Sequence, residues 1–398
     1  MVFTIENTKE NLDKLNIYLE EMKENNIDII DLIKYITNHY GMKLENNIKQ
    51  ERLKSIAPLS KKVLLVLVDG LGYYKIGDLR DDSILKNNLK MPLQTVNPTS
   101  TACVLTSIAS GKYPAEHGIL GWWQYSKKHS INYYPILFCD KAGENLKNRN
   151  IMPNDIFKFD NIFDKFDSEV NIYMNRNIIN SEFSKMFNGK TTNAYGTYSI
   201  RDAFNKIATK LVENDKKSFN YLYINGLDLV SHVYGTDSKE VYEIIDEIES
   251  GIRKVKEKDS DTTVIVIADH GQVEMTSLIY LNQNNNYLKY FYALPSIDTR
   301  MISFFVKDEF KEEFEENFCK EFGKDVILLK KEEALKYRLF GNVDYSENFN
   351  NSCGEYIGII VNNKFMVCDK ITMEDKMSTK GNHSGLTQQE RTIPLIVI

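Results

Sequence analysis

Apolar residues along this chain follow two different rhythms. Near the start, Leu12, Leu15, Leu19 and Met22 recur at helical spacing, and Ile29, Leu32, Ile33 and Ile36 continue the series, so residues 8–40 are predicted to form a helical hairpin. A polar stretch from Lys43 to Lys54 follows. The pattern then changes to Lys61-Lys-Val-Leu-Leu-Val-Leu-Val-Asp-Gly70, a short unbroken apolar run of the kind that forms a strand buried on both faces. Phe219–Asn225, Thr263–Ala268 and Thr392–Ile398 have the same character, and all four are expected in one central sheet. Between them run helical patterns, clearest in Val241, Ile244, Ile245, Ile248, Ile252 and Val255, with Asp237 and Glu240 ahead as a capping pair. Strands alternating with helices predict an α/β fold with a doubly wound, mostly parallel sheet. Residues 273–375 break the rhythm with Asn-rich loops, a strand at Met301–Val306 and a helix carrying Phe310, Phe314, Phe318 and Phe322 on one stripe. That stripe reads as core packing. The expected organisation is an N-terminal helical extension over 1–60 and a catalytic domain over 61–398, with an inserted subdomain at about 273–375.

The chemistry lies where the buried runs end, because open α/β sheets place their ligand site at the carboxyl ends of the strands. The first run ends in Asp69, the second leads into Asp228-Leu-Val-Ser-His232, and the third ends in Asp269-His270-Gly271. His383 lies in Gly381-Asn-His-Ser-Gly385 just before the last run. One Asp after a strand is ordinarily a turn or cap residue. Here three of only 6 histidines in the chain join three aspartates at separate strand ends, and chance explains that poorly. Imidazole and carboxylate ligands without thiolate suit a pair of divalent ions, zinc first, with manganese or iron as alternatives.

Between Asp69 and Asp228, Asn97-Pro-Thr-Ser-Thr101 feeds an apolar helix that stops at Gly111. Thr101 is then either an ordinary N-cap or a hydroxyl held against a metal, which lowers its pKa and makes it a nucleophile. The neighbouring ligands favour the nucleophile, and free N–H groups at the helix start attract an anionic phosphoryl group.

Composition narrows the alternatives. A chain of 398 residues with 42% hydrophobic and 27% charged residues, 20 Gly and 8 Pro supports a packed core rather than disorder. A formal charge of −6 lacks the basic excess of an extended nucleic-acid surface. No run approaches the ~20 apolar residues of a membrane span. The polar N-terminus does not resemble a secretory leader, and 5 cysteines without CxxC spacing fit reduced thiols, so a cytoplasmic location is expected.

Taken together, these motifs resemble the alkaline phosphatase superfamily and, within it, the type I phosphodiesterase/nucleotide pyrophosphatase family. The likeness rests on Val-Asp69-Gly, Pro-Thr-Ser-Thr101 with Gly111-Lys-Tyr-Pro-Ala-Glu-His117-Gly-Ile ten residues on, Asp228-x-x-x-His232, Ala-Asp269-His270-Gly and Gly-x-His383, within 61–125, 219–272 and 380–398. It implies an alkaline phosphatase-like fold with one metal held by Asp228, His232 and His383 and the other by Asp69, Thr101, Asp269 and His270. It further implies in-line attack by Thr101 on phosphorus, a phosphothreonine intermediate, and hydrolysis with net retention. His117 is expected to be structural. The sulfatase motif is absent around Thr101, and the flanks differ from those of the phosphosugar mutases.

Two departures bear on the substrate. Trp122 stands where many relatives carry a phosphate-binding Asn, and Ala102 replaces an aromatic residue that forms half of a nucleobase clamp, while Tyr223 matches the other half. Trp122, Trp123 and Ala102 offer an apolar wall, and no arginine lies in Thr101–Tyr125 to bind the extra charge of a monoester. The chain is therefore read as a phosphodiesterase or phosphoanhydride hydrolase acting on a small phosphorylated substrate, with Tyr223 stacking on it. The alternatives are a phosphomonoesterase or phosphonate hydrolase on the same core, and a pseudoenzyme scaffold, which would have no need of every ligand type.

Overall fold

A computed structural model describes residues 9–21, 26–43, 47–190, 192–213, 215–369 and 378–398. All four apolar runs enter one seven-stranded sheet. Its spatial order is Leu89–Gln94, Thr392–Val397, Thr263–Ile267, Lys62–Val68, Ser218–Ile224, Glu169–Asn175, Asn193–Thr197. From Thr263–Ile267 to Asn193–Thr197 every pairing is parallel, whereas Thr392–Val397 is antiparallel to both of its neighbours. The reversal matters for function. A strand running the other way begins at the edge where the parallel strands end, so the segment before it, with His383, arrives beside Asp69 and Asp269.

Successive side chains of a strand point to opposite faces, yet Val63–Val68 are all buried, so both faces of the sheet are covered. The helix Lys239–Lys258 contributes Val241, Ile245, Ile248, Ile252 and Val255 to this core. It packs tightly on the helix Ile200–Glu213: a Cβ on Gly251 would lie 2.1 Å from Cδ2 of Phe204. The predicted cap is different, because Ser238 occupies the N-cap and Asp237 pairs instead with Lys75.

Helices stand at Lys9–Glu21 and Ile29–His39 as the spacing predicts, but they serve different cores. Leu15 and Tyr18 pack with Ile327 and Leu329, and Asn11 donates to the Gly323 carbonyl at 2.8 Å, whereas Ile29, Ile30, Leu32, Ile33 and Ile36 join the core of the main sheet. The Leu12 side chain and Met22 lie outside the described residues.

Within 273–375 a second, antiparallel sheet runs in the order Phe291–Ile297, Met301–Val306, Tyr356–Ile360, Val326–Lys330. The helix Lys311–Phe322 covers it through Phe314, Phe318 and Phe322, so the aromatic stripe is core. Its other face meets Ala115, Leu120 and Leu386 from the segments around the strand ends.

Candidate active site

Each predicted ligand comes from a different local device. Asp69 follows Lys62–Val68 directly, and Asp269 and His270 follow Thr263–Ile267. Asp228 and His232 are one turn apart on the helix Gly226–Tyr234, and His383 follows the short strand Gly381–Asn382. Thr101 is the first residue of the helix Thr101–Ser110, whose N-cap is Ser100. Among the described residues no side chain caps that helix, which leaves its first N–H groups open to an anion.

The three imidazoles are oriented alike. His232 Nδ1 donates to the Gly381 carbonyl at 2.7 Å, His383 Nδ1 to Thr99 at 2.8 Å and His270 Nδ1 to Gly271 at 3.1 Å. These bonds place each Nδ1 proton and leave each Nε2 as a lone pair turned inward. His270 Nε2 lies 3.3 Å from Asp269 Oδ2, 3.5 Å from Asp69 Oδ1 and 3.3 Å from Thr101 Oγ1. His232 Nε2 lies 3.3 Å from Asp228 Oδ2, and His383 Nε2 lies 3.7 Å from Asp228 Oδ1. The rings of His270 and His383 stack with centroids 3.7 Å apart.

Such a collection of acceptors needs a cation. Asp69 Oδ1 and Asp269 Oδ2 are buried with no hydrogen-bond donor among the described residues, a costly state for a carboxylate. Ligand atoms of Asp69, Asp269 and His270 lie within 4.8 Å of one another, as do those of Asp228, His270 and His383. The residues therefore fit divalent metal ions. His270 belongs to both groups, so the two ligand sets adjoin rather than stand apart.

Electrostatics agree with the geometry. Burial, together with the charges of Asp269 and Asp228, pushes the Asp69 carboxyl well above the usual range. Burial and Asp228 likewise raise Asp269 to about 6. Asp228 is held low: burial opposes its charge, but in acid, where His232, His383 and His270 take up protons, their positive charge outweighs it. Burial lowers His270 and His383 to about 4, which keeps both neutral, the form that ligates a metal.

The substrate residues fare differently. Tyr223 is buried and its hydroxyl donates to Asp69 Oδ2, so it holds a candidate ligand carboxylate in place of presenting an open face. Ala102 is fully buried in the main core and forms no wall for a substrate. Trp123 is buried and donates from Nε1 to the Pro295 carbonyl at 3.1 Å, while the half-buried Trp122 packs edge-on against Tyr134. His117 is fixed between Ser107 Oγ at 2.8 Å and the Ile119 amide at 3.1 Å, a structural role.

Sequence reasoning missed several supporting groups. Gln272 donates from Nε2 to the Asp228 carboxylate and, at 3.2 Å, to its carbonyl. Its place directly after Asp269-His270-Gly271 is the one local signal. Asp298, Arg300 and Glu390 also gather here, and nothing in their spacing pointed to the site.

The family model for type I phosphodiesterase/nucleotide pyrophosphatase matches residues 63–386. Among solved structures, murine ectonucleotide pyrophosphatase/phosphodiesterase 5 superposes with a TM-score of 0.62 at 15% identity, covering 84% of this chain and 87% of that one. An inactive variant of the same murine protein, in complex with AMP, superposes with a TM-score of 0.60 at 15% identity, covering 84% and 87%. Phosphonoacetate hydrolase from Sinorhizobium meliloti 1021, in complex with phosphonoformate, gives 0.61 at 15% identity, covering 86% and 91%. At such identities these likenesses show a shared fold. A comparison with curated protein sequences finds no match.

Proposed function

The chain belongs to the type I phosphodiesterase/nucleotide pyrophosphatase family, and from that premise we propose that it is a two-metal hydrolase of phosphodiesters or phosphoanhydrides with Thr101 as nucleophile. The observation that carries this reading is the meeting of His270 Nε2 with the buried carboxylates of Asp69 and Asp269 beside the Thr101 hydroxyl, with Asp228 and His383 forming an adjoining ligand group. Asp228, His232 and His383 would hold one ion, and Asp69, Asp269, His270 and Thr101 the other. Zinc suits this donor set best, with manganese or iron as alternatives. Bound ions supply Lewis-acid charge that lowers the pKa of a hydroxyl and stabilises anionic oxygens.

The chain's own groups do the rest. Thr101 Oγ1 attacks phosphorus in line, the ester or anhydride oxygen leaves opposite, and the phosphoryl group is carried on threonine until water displaces it. Two inversions give net retention. The uncapped N–H groups of Thr101–Ser110 face the phosphoryl oxygens, and the backbone carbonyls behind the three histidines hold the ligand geometry through the cycle.

Preference for a diester rests on the arginines, whose planar fork best binds a doubly charged phosphate. No arginine lies in Thr101–Tyr125, and Arg300 and Arg391 nearby are committed, Arg300 to Glu390 and Arg391 to Leu386 and Gln94. A phosphonate hydrolase is the second reading, favoured by the equally good superposition of phosphonoacetate hydrolase. Hydrolysis of bis-p-nitrophenyl phosphate, p-nitrophenyl phosphate and phosphonoacetate by the purified protein separates them. A higher kcat/KM on the diester supports the first reading; preference for either of the others overturns the diester assignment. A cytoplasmic location belongs to the same proposal, supported by Cys103, Cys139, Cys353 and Cys368 standing outside any disulfide, and fractionation of cells expressing the protein tests it.

A further inference from the structure

The turn that joins Phe291–Ile297 to Met301–Val306 reaches from the second sheet into the catalytic centre. Asp298, Thr299 and Arg300 are all buried, which is unusual for a hairpin turn of polar residues. Each makes a bond across the domain. Ser100 Oγ donates to Asp298 Oδ2 at 3.2 Å, and Ser100 is the N-cap of the helix that begins with Thr101. Asn382, next to His383, donates from Nδ2 to Thr299 Oγ1 at 3.0 Å. The Arg300 amide donates to Ser384 Oγ at 3.1 Å, on the other side of His383.

The arginine side chain extends the connection. Its Nε and Nη2 donate to the two oxygens of Glu390 at 2.6 and 3.0 Å, and both side chains are fully buried. Glu390 in turn accepts from the Gly385 amide at 2.7 Å and from Thr387. A bidentate buried pair of this kind is rigid, and it fixes the loop after His383 from behind.

Two backbone outliers mark the ends of this network. Ile297 has φ +86° and Ser384 has φ +95°, a region that non-glycine residues, and β-branched ones above all, rarely adopt. Strain of that kind persists only where surrounding contacts over-determine it, and such places cluster at functional sites.

From these contacts we infer that the turn Ile297–Arg300 is a positioning element of the catalytic centre, setting Thr101 through Asp298 and Ser100, and His383 through Ser384 and Glu390. The inference rests on the two-metal reading above. Neither Asp298 nor Arg300 need touch substrate. Their effect passes through the nucleophile helix and the ligand loop, so the second sheet becomes part of the machinery.

The test uses the full-length protein, zinc as the probe ion and bis-p-nitrophenyl phosphate as substrate. Replacing Arg300 or Glu390 would strand a buried charge and threaten folding, so the variants are Ser100→Ala, Asp298→Asn, their double and Ser384→Ala. Ser100→Ala and Asp298→Asn should each lower kcat about tenfold, with KM and zinc affinity within about twofold, and the double should be no worse than the weaker single. Ser384→Ala should weaken zinc binding about tenfold in competition with a chromophoric chelator, as loss of a ligand's supporting bond does. Unchanged zinc affinity in Ser384→Ala, or kcat losses that multiply in the double variant, overturns the inference. A wild-type protein that takes up no zinc and leaves the diester intact brings down the two-metal reading with it. An active, zinc-loaded wild type confines any failure to the turn.

Discussion

Replacing Tyr223 with Phe removes one oxygen from the carboxylate cluster and keeps the ring, which separates the two roles this residue can play. The hydroxyl donates to Asp69 Oδ2, while Asp69 Oδ1 has no donor among the described residues. Without the phenol, both oxygens of the buried Asp69 carboxylate would lack a donor among the described residues and would depend on the proposed metal ion. A hydrogen bond to a charged group contributes about 1.5–3 kcal/mol. At tenfold per ~1.4 kcal/mol, Tyr223→Phe should weaken zinc binding at this position by about ten- to a hundredfold. kcat on bis-p-nitrophenyl phosphate should fall at sub-saturating zinc and recover in part as zinc is raised. A stacking role predicts the reverse, because Phe retains the aromatic face. Zinc affinity and kcat equal to wild type in Tyr223→Phe, with KM raised only in Tyr223→Leu, would refute the positioning argument and reinstate stacking.

Further outcomes follow from other contacts. Asp269→Asn or His270→Ala should lose metal and activity together in elemental analysis and turnover, because both side chains belong to one tight ligand group. Thr99→Ala should weaken turnover without abolishing it, since the Thr99 hydroxyl bonds Gly385 and Ser384 in the His383 loop at 3.0 and 3.1 Å. Gly251→Ala should lower the free energy of urea unfolding by roughly 1–3 kcal/mol, because Phe204 must move. His117 is kept neutral by burial, its pKa lowered from 6.5 to about 3. The unfolded imidazole binds a proton more readily, so the stability it confers is complete above its unfolded pKa and is lost as pH falls towards the folded one. Unfolding free energy should show a pH slope of up to about 1.4 kcal/mol per unit in that window, reduced in His117→Gln.

How much of this was legible follows from what each residue does. Val63–Val68 and Thr263–Ile267 are buried on both faces, so their burial is written as unbroken apolar runs. The strand Asn193–Thr197 lies at the sheet edge with two exposed positions, and Leu89–Gln94 alternates at the other edge with Pro92 inside it. Neither has an apolar run to read, and both were missed. The candidate ligand cluster was readable because Asp69, Asp269 and His270 sit at strand ends, where sequence position implies place. Asp298, Arg300 and Glu390 were not, since their partners Ser100, Ser384 and Gly385 are distant in sequence or lie in a loop of no regular pattern. The helix Lys9–Glu21 was readable as a helix, but its helical rhythm carries no information about which core receives Leu15 and Tyr18. Ala102 shows the same limit in reverse: its place after Thr101 suggested a wall for substrate, and the helix turns it into the core.

The proposed reaction turns on Thr101 carrying the phosphoryl group between its two steps. Mass spectrometry of peptides from the zinc-loaded protein, acid-quenched while it turns over bis-p-nitrophenyl phosphate, tests it most directly. A phosphorylated peptide is expected with the modification localised to Thr101, absent without substrate and absent in Thr101→Ala. An actively hydrolysing enzyme whose quenched peptides carry phosphate on Thr99 or Ser100, or that reaches full turnover in Thr101→Ala, would contradict it.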